Sequence, residues 1–350
     1  MLPRKTKKIA IGKVVIGDKN PIAVQSMTKT KTSDVAATVR QIHALEQAGC
    51  QIVRCAVPDQ ASADALREIK KQIHIPLVAD IHFNHKFAIQ AAESGVDKLR
   101  INPGNIGDKN KIKAVVDAAQ AHKIPIRVGV NSGSLEKEIK AKYKGHITAQ
   151  GLVESALKNI KILEDLKFKD IVISIKATSV PVTIAAYKLL SKKVKYPLHI
   201  GITEAGIPEV GIIRSSVGIG ALLAEGIGDT LRVSLTGDPV EEVRVAYEIL
   251  KSLELIEAGI TVISCPTCGR VEVDVAKIAR QIYEKTRHIT KPLKVAIMGC
   301  EVNGPGEAAD ADIGLACGKG VGLIFRNGQV VRKVPEREMV QAVLEEIERS

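Results

Sequence analysis

A chain of 350 residues is longer than one ordinary domain needs, and 45% apolar residues are enough to bury a large core. No uncharged apolar run reaches the roughly 18 residues of a membrane span. The basic amino terminus MLPRKTKKIAIGKVVIGDKN lacks a leader's apolar stretch and cleavage site, so a cytoplasmic protein is expected. The formal net charge of +12 fits a phosphorylated substrate, an acidic protein partner or simply a basic surface; with no Trp and 3% aromatic residues, nucleic acid is poorly supported.

In chain order, eight short β-rich runs carry turn chemistry behind them: residues 21–27, 51–58, 75–83, 97–105, 124–133, 170–177, 197–206 and 229–239. Each is almost continuously apolar, as a strand buried on both faces should be. Amphipathic helices fill the gaps. In SDVAATVRQIHALEQAG, Val35, Val39, Ile42 and Leu45 share a face, Thr32 or Ser33 can cap the start, and Gly49 can close the end. Eight strand–helix units in about 240 residues predict an α/β fold of the (β/α)8 barrel type. A doubly wound sheet is the alternative, but its Gly-rich fingerprint after the first strand is missing. Between Ser134 and Lys169 the Lys/Glu-rich SLEKEIKAKYKG reads as a solvated face or lid before another helix.

The pattern changes near residue 260, and the expected division is a barrel over 1–258 and a small α+β module over 259–350. VDVAKIARQIYEKT reads as a helix. LKVAIMG, ADIGLAC and GVGLIFRNGQVVRKV read as strands, the last a hairpin turning at Asn327-Gly328. PEREMVQAVLEEIER reads as a closing helix started by Pro335.

Buried strands should hold few charges, yet Arg54, Arg100, Arg127, Lys176 and Arg232 each sit in one. Polar residues gather near the same strands' carboxyl ends: Asp80, His82, Asn102, Asn105, Asn131, Ser132, His199, Thr203, Glu204 and Ser234. That end of a barrel is where active sites form. Such an excess of enclosed positive charge needs an anion, and arginine's planar fork suits phosphate oxygens, so a substrate with more than one phosphate is expected. Lys176 also allows a second reading, a Schiff-base barrel lyase.

The six cysteines are expected to be reduced thiols or metal ligands. Cys265-x2-Cys268 alone is compatible with zinc, a redox dithiol, an iron–sulfur cluster or plain packing. Cys300 stands alone downstream and Cys317 follows 17 residues later, so a four-cysteine zinc site would be irregularly spaced. A structural zinc would accompany the lyase reading; a zinc-knuckle nucleic-acid binder without catalysis is the remaining rival.

SCPTCGR followed by VAIMGCEVNGPGEAADADIG resembles the 4-hydroxy-3-methylbut-2-enyl diphosphate synthase family, in its two-domain bacterial form. The resemblance extends through VQSMT, VRCAVP, ADIHF, LRINPGNIG, RVGVNSGSL, SIKA, ITEAG and RVSLTGDP, essentially the whole chain. It implies a [4Fe-4S] cluster held by Cys265, Cys268, Cys300 and Glu307. It implies 2-C-methyl-D-erythritol 2,4-cyclodiphosphate as substrate, opened and dehydrated by two-electron reduction in the non-mevalonate isoprenoid pathway. In that setting Arg54, Arg100, Arg127 and Lys176 are expected to grip the diphosphate, with Asn131, Thr203 and Ser234 helping to orient it. Glu204 is expected to deliver a proton to the departing hydroxyl from a buried position, and Asp80, His82 and His199 to orient or relay. The resemblance further implies flavodoxin or ferredoxin as electron donor and a head-to-tail homodimer in which one chain's cluster serves the other's barrel. Cys50, Cys55 and Cys317 are read as packing thiols.

Overall fold

A computed structural model describes residues 3–300, 306, 308 and 310–350. The chain falls into two compact units, residues 1–253 and 254–350.

The first unit opens with a two-stranded antiparallel hairpin, β1 (Ile9–Ile11) and β2 (Val14–Ile16). Eight parallel strands follow: β3 (Ala23–Met27), β4 (Ile52–Ala56), β5 (Leu77–Asp80), β6 (Lys98–Ile101), β7 (Ile126–Asn131), β8 (Ile171–Lys176), β9 (His199–Ile200) and β10 (Thr230–Leu231). They pair in the order β8-β7-β6-β5-β4-β3-β10-β9, and a parallel bridge between Ile173 and Leu198 joins the two ends into a closed barrel. All eight expected runs are strands, and the (β/α)8 expectation is met.

The last two are far shorter than their apolar runs. At Gly201 a Cβ would stand 2.3 Å from the Arg232 carbonyl, so the backbones crowd together where regular pairing ends. The outer helices include α1 (Val35–Gln47), α2 (Gln60–Gln72), α3 (His85–Glu93), α4 (Pro103–Ile106), α5 (Lys109–Ala121), α6 (Lys137–Lys142), α7 (Ala149–Asp165), α8 (Val180–Ser191), α9 (Pro208–Ala224) and α10 (Pro239–Ser252).

Local chemistry explains the departures from expectation. The cap of α1 is Asp34, which accepts from Ala37 N, while Thr32 donates to the Ala56 carbonyl. Thr38 takes the buried place expected of Val35. The charge run forms α6, anchored by half-buried Glu136, which accepts from Ser155 Oγ at 2.6 Å and Asn159 Nδ2 at 3.2 Å. The opening hairpin was not expected, because six apolar residues interrupted by Gly12-Lys13 are too short to show a period. Its Ile9, Ile11 and Ile16 pack against Ala23, Ile52, Val78 and Val172, the inward residues at the amino-terminal ends of four barrel strands. The hairpin therefore closes the floor of the barrel.

The second unit is a mixed sheet in the order β11 (Ile260–Ser264), β12 (Leu293–Met298), β13 (Ile313–Gly318), β14 (Val321–Arg326), β15 (Gln329–Pro335). The first three strands are parallel and the last three antiparallel. Helices α11 (Val275–Thr286) and α12 (Met339–Glu348) belong to the same unit, and Ile278, Ile282, Met339, Val343 and Ile347 join one apolar core with sheet residues. Asn327 and Gly328 both take positive φ, 48° and 79°, as the hairpin turn requires. Pro335 ends β15 instead of starting the closing helix; a short 3-10 turn, Glu336–Glu338, intervenes. Among the described residues no helix is long and apolar enough to cross a membrane.

Ile11 is fully buried in the floor. Ile11→Ala is expected to cost about 2–5 kcal/mol. Urea unfolding checks this, and a loss below about 0.5 kcal/mol, the range of substitutions away from the core, would show that the hairpin is not part of the packed barrel.

Candidate active site

Side-chain alternation along the barrel strands sets the site. A Cβ on Gly129 would lie 2.4 Å from Arg100 Nε, so Gly129 faces inward and so do Arg127 and Asn131, two residues to either side. The five expected cations converge inside the barrel and are largely buried; Arg127 is 1% exposed and Lys176 7%. Asp80 ties two of them together. Arg100 Nη1 donates to Asp80 Oδ1 at 2.9 Å, and Arg54 Nε stands 3.5 Å from Asp80 Oδ2. Arg54 also points two nitrogens at Met27 Sδ, at 3.1 and 2.8 Å.

Burial alone would push the Asp80 carboxyl up, but Arg54 and Arg100 overcome it and hold it at about 2. Burial brings the Arg54 guanidinium down to about 10. Burial first, then Arg127 and Arg232, drives Lys176 well below the usual lysine range.

Sequence reading took Glu204 as the second acid facing these cations. The structure places Glu242 there instead: Arg232 Nε is 3.5 Å from its Oε2 and Lys29 Nζ 3.0 Å from its Oε1, with Ser26 Oγ and Leu235 N also donating. Glu242 lies on the buried face of α10 with Val243, Ala246 and Ile249, in a first turn where an acid is common in sequence. Glu204 is exposed and accepts from Thr178 Oγ1 at 3.1 Å, so the expected burial is not found. Its backbone adopts φ 52°, a left-handed conformation rare for a glutamate, which aims it into a mouth cleft of about 230 Å³.

That cleft is lined by His82, Phe83, Arg100, Asn102, Asn105, Asn131, Ser132, Gly133, Thr203 and Glu204. Exposed His82 has Nε2 3.2 Å from Arg100 Nη1. Phe83, 71% exposed at the rim, was missed because a lone aromatic after a strand gives no pattern. Asn102 caps α4 through Gly104 N. Ser234 is half-buried beyond β10. His199 is fully buried beneath the mouth, its Nδ1 2.7 Å from Thr230 Oγ1; burial, then Lys176 and Arg127, pushes it well below the usual histidine range.

The second unit brings thiols to the carboxyl ends of two neighbouring parallel strands. Cys265 follows β11 directly; its N–H donates to the Ile297 carbonyl of β12 at 3.1 Å. Its Sγ accepts from Gly299 N at 3.3 Å, and Cys300 is the next residue. A Cβ on Gly299 would lie 2.4 Å from Val275, so only glycine permits this approach. Cys268 is exposed after Thr267, whose φ of 53° turns the loop sharply. Among the described residues no cysteine is in a disulfide. Glu307 lies outside the described residues. Three soft donors, two half-buried and one exposed, on loops leaving adjacent strands suit a thiolate-bound metal cluster. The other three thiols are sealed: burial pushes Cys50 and Cys317 up to about 12 and Cys55 to about 11, which keeps them protonated.

Asp80 titrates lower in the fold than its ordinary 3.8, so its contribution is present above about pH 4 and lost as pH falls towards 2. It is worth about 2 kcal/mol. Asp80→Asn is expected to flatten the acid limb of stability between about pH 4 and 2 and to cost about 3 kcal/mol at neutral pH, since Arg54 and Arg100 lose their carboxylate. Urea unfolding across pH checks this, and an unchanged acid limb would remove Asp80 from the argument.

A family model described as the GcpE TIM-barrel domain matches residues 6–247, and one described as the GcpE protein C-terminal domain matches residues 261–349. The 4-hydroxy-3-methylbut-2-en-1-yl diphosphate synthase (flavodoxin) of Caldanaerobacter subterraneus subsp. tengcongensis is 59% identical over 344 residues, 98% of this chain and 97% of that protein. The protein of the same name from Geobacter sulfurreducens is 56% identical over 345 residues, 99% of this chain and 98% of that one. Among solved structures, dihydropteroate synthase from Stenotrophomonas maltophilia aligns with a TM-score of 0.52 at 11% identity, over 71% of this chain and 97% of that one, a likeness of fold alone. With both halves matched and relatives aligned nearly end to end, the chain belongs to the GcpE family.

Proposed function

We propose that this protein is a reductive synthase that converts 2-C-methyl-D-erythritol 2,4-cyclodiphosphate to 4-hydroxy-3-methylbut-2-enyl diphosphate. Two electrons and two protons enter, the diphosphate ring opens at carbon, and a hydroxyl leaves as water. The observation that carries this reading is the 59% identity, over 98% of the chain, to a protein of that printed name. The barrel supports it independently: Arg54, Arg100, Arg127, Lys176 and Arg232 meet only Asp80 and Glu242 as ion-pair partners among the described residues, an imbalance that a diphosphate would neutralise.

In this reading the barrel, residues 1–258, binds substrate, and residues 259–350 hold a [4Fe-4S] cluster through Cys265, Cys268, Cys300 and Glu307. When bound, the cluster supplies electrons singly and an iron not held by thiolate. Arg54, Arg100, Arg127 and Lys176 hold the diphosphate and stabilise charge on the leaving oxygen. Asn131, Thr203 and Ser234 orient the substrate. Asp80 and His82 fix the Arg100 fork, and Glu204, at the cleft wall, relays a proton from solvent to the departing hydroxyl.

A flavodoxin-class acidic protein is the fitting donor, since the +12 charge favours its approach. A homodimer is supported by α9, whose Val210, Ile213 and Val217, with Ile207 before it, are all more than 40% exposed and follow helical spacing.

The protein purified without oxygen is expected to be brown, with about four irons per chain, and to form product with reduced flavodoxin. A colourless zinc protein would support the Schiff-base lyase instead. Glu204→Gln is expected to keep its iron and lose turnover, and Cys268→Ser to lose the iron. Mixing the two should restore activity if sites are shared between subunits. Normal turnover by Glu204→Gln removes its proton role, and failure of the mixture to recover removes the shared site.

A further inference from the structure

Beneath the cation ring lies Lys98, a buried group that the reaction above does not use. Lys98 stands on β6 two residues before Arg100, on the same inward face and about 7 Å nearer the floor. Its register partner is Val78, one of the apolar residues packed on the hairpin floor. Lys98 is 0% exposed, and its Nζ has no hydrogen-bond partner among the described residues. Gln25 Oε1 and Nε2, Arg127 Nε and Nη1 and His199 Nε2 are likewise buried and unpartnered there.

The charges facing this layer are overwhelmingly positive. Arg54 comes from β4, Arg127 from β7, Lys176 from β8, His199 from β9 and Arg232 from just after β10, against Asp80 on β5 and Glu242 on α10. Arginine does not discharge under ordinary conditions, so relief of this repulsion falls on the lysines and histidine. Of these, Lys98 and His199 are fully buried, and His199 keeps a hydrogen bond to Thr230 Oγ1 while Lys98 Nζ has none among the described residues. Burial, then Arg127 and Arg54, lowers it well below the usual lysine range. The ion pairs to Asp80 are made by Arg54 and Arg100, so neither carboxylate offsets Lys98 directly.

We propose that Lys98 is a charge-regulating residue, an uncharged amine in the ligand-free barrel that takes up a proton when a diphosphate anion seats among the arginines above it. The anion cancels the field of Arg54 and Arg127, which is part of what keeps Lys98 discharged. Capture of substrate is thereby coupled to proton uptake, and the barrel interior stays close to neutral in both states. This rests on the diphosphate-binding reading of the mouth. Lys98 touches no substrate in this account; it positions charge beneath those that do. Lys176, nearer the mouth, can take a proton on the same occasion, so the test separates the two.

The experiment is calorimetric titration of the anaerobic holoenzyme with inorganic pyrophosphate, at one pH, in buffers of different ionisation enthalpy. The wild type is expected to take up protons on binding, and Lys98→Met to take up about one fewer per pyrophosphate bound, a difference retained in a Lys176→Met background. Lys98→Met is also expected to melt higher than the wild type without ligand, because the amine no longer has to be buried. Equal uptake by the wild type and Lys98→Met overturns the proposal, as does absence of uptake by the wild type alone, which decides the matter even if the variant does not fold. Failure of pyrophosphate to bind the wild type at all would instead refute the anion-binding reading of the mouth.

Discussion

Enclosed positive charge governs this protein. A closed parallel barrel normally fills its interior with branched apolar side chains; here the floor alone is apolar, and above it stand lysines and arginines with two ion-paired carboxylates among them. Such an interior is unfavourable unless an anion completes it. The features that look like compensation follow from this: Asp80 shared between two arginines, Glu242 holding two hydrogen bonds and two ion pairs, and a lysine and a histidine driven towards neutrality. On the proposed reading stability and function meet in the same residues, because the cations that burden the barrel interior are those assigned to hold the diphosphate.

The cysteine unit shows the opposite economy. Its strands and helices pack into an ordinary apolar core, and Cys265, Cys268 and Cys300 lie on loops leaving β11 and β12. Cys265 belongs to both worlds: its backbone extends the ladder and its sulfur accepts from Gly299. The thiol position is thus tied to sheet register, whereas Cys268 depends on the sharp turn at Thr267. One thiol is placed by the scaffold and the other by local backbone strain.

Much of this was legible beforehand, and the exceptions have physical causes. The eight strands declared themselves because doubly buried strands carry continuous apolar runs, and cations inside those runs stood out against that background. Lys98 did not stand out, since it begins its strand next to Asp97 and reads as an ordinary boundary residue. Glu242 was hidden for the reverse reason: an acid in the first turn of a helix is common for electrostatic reasons and signals nothing about burial. Glu204 was found through its motif but assigned the wrong surroundings, because sequence carries no measure of solvent access at a loop. The hairpin escaped because strands of three residues lack a period, and Pro335 misled because proline serves equally at a strand's end and a helix's start.

The hairpin floor carries a consequence for biogenesis. Residues 9–16 leave the ribosome before any barrel strand, yet their docking surface includes Val172, which belongs to the sixth. A segment made before the barrel strands is therefore among the last to find its place. Until then its isoleucines are exposed on a tether, and the polar interior of the nascent barrel is open at both ends to water, which can hydrate the lysines and arginines while the wall is assembled. Seating the hairpin excludes that water from below and converts a solvated cluster of cations into a site with a single mouth.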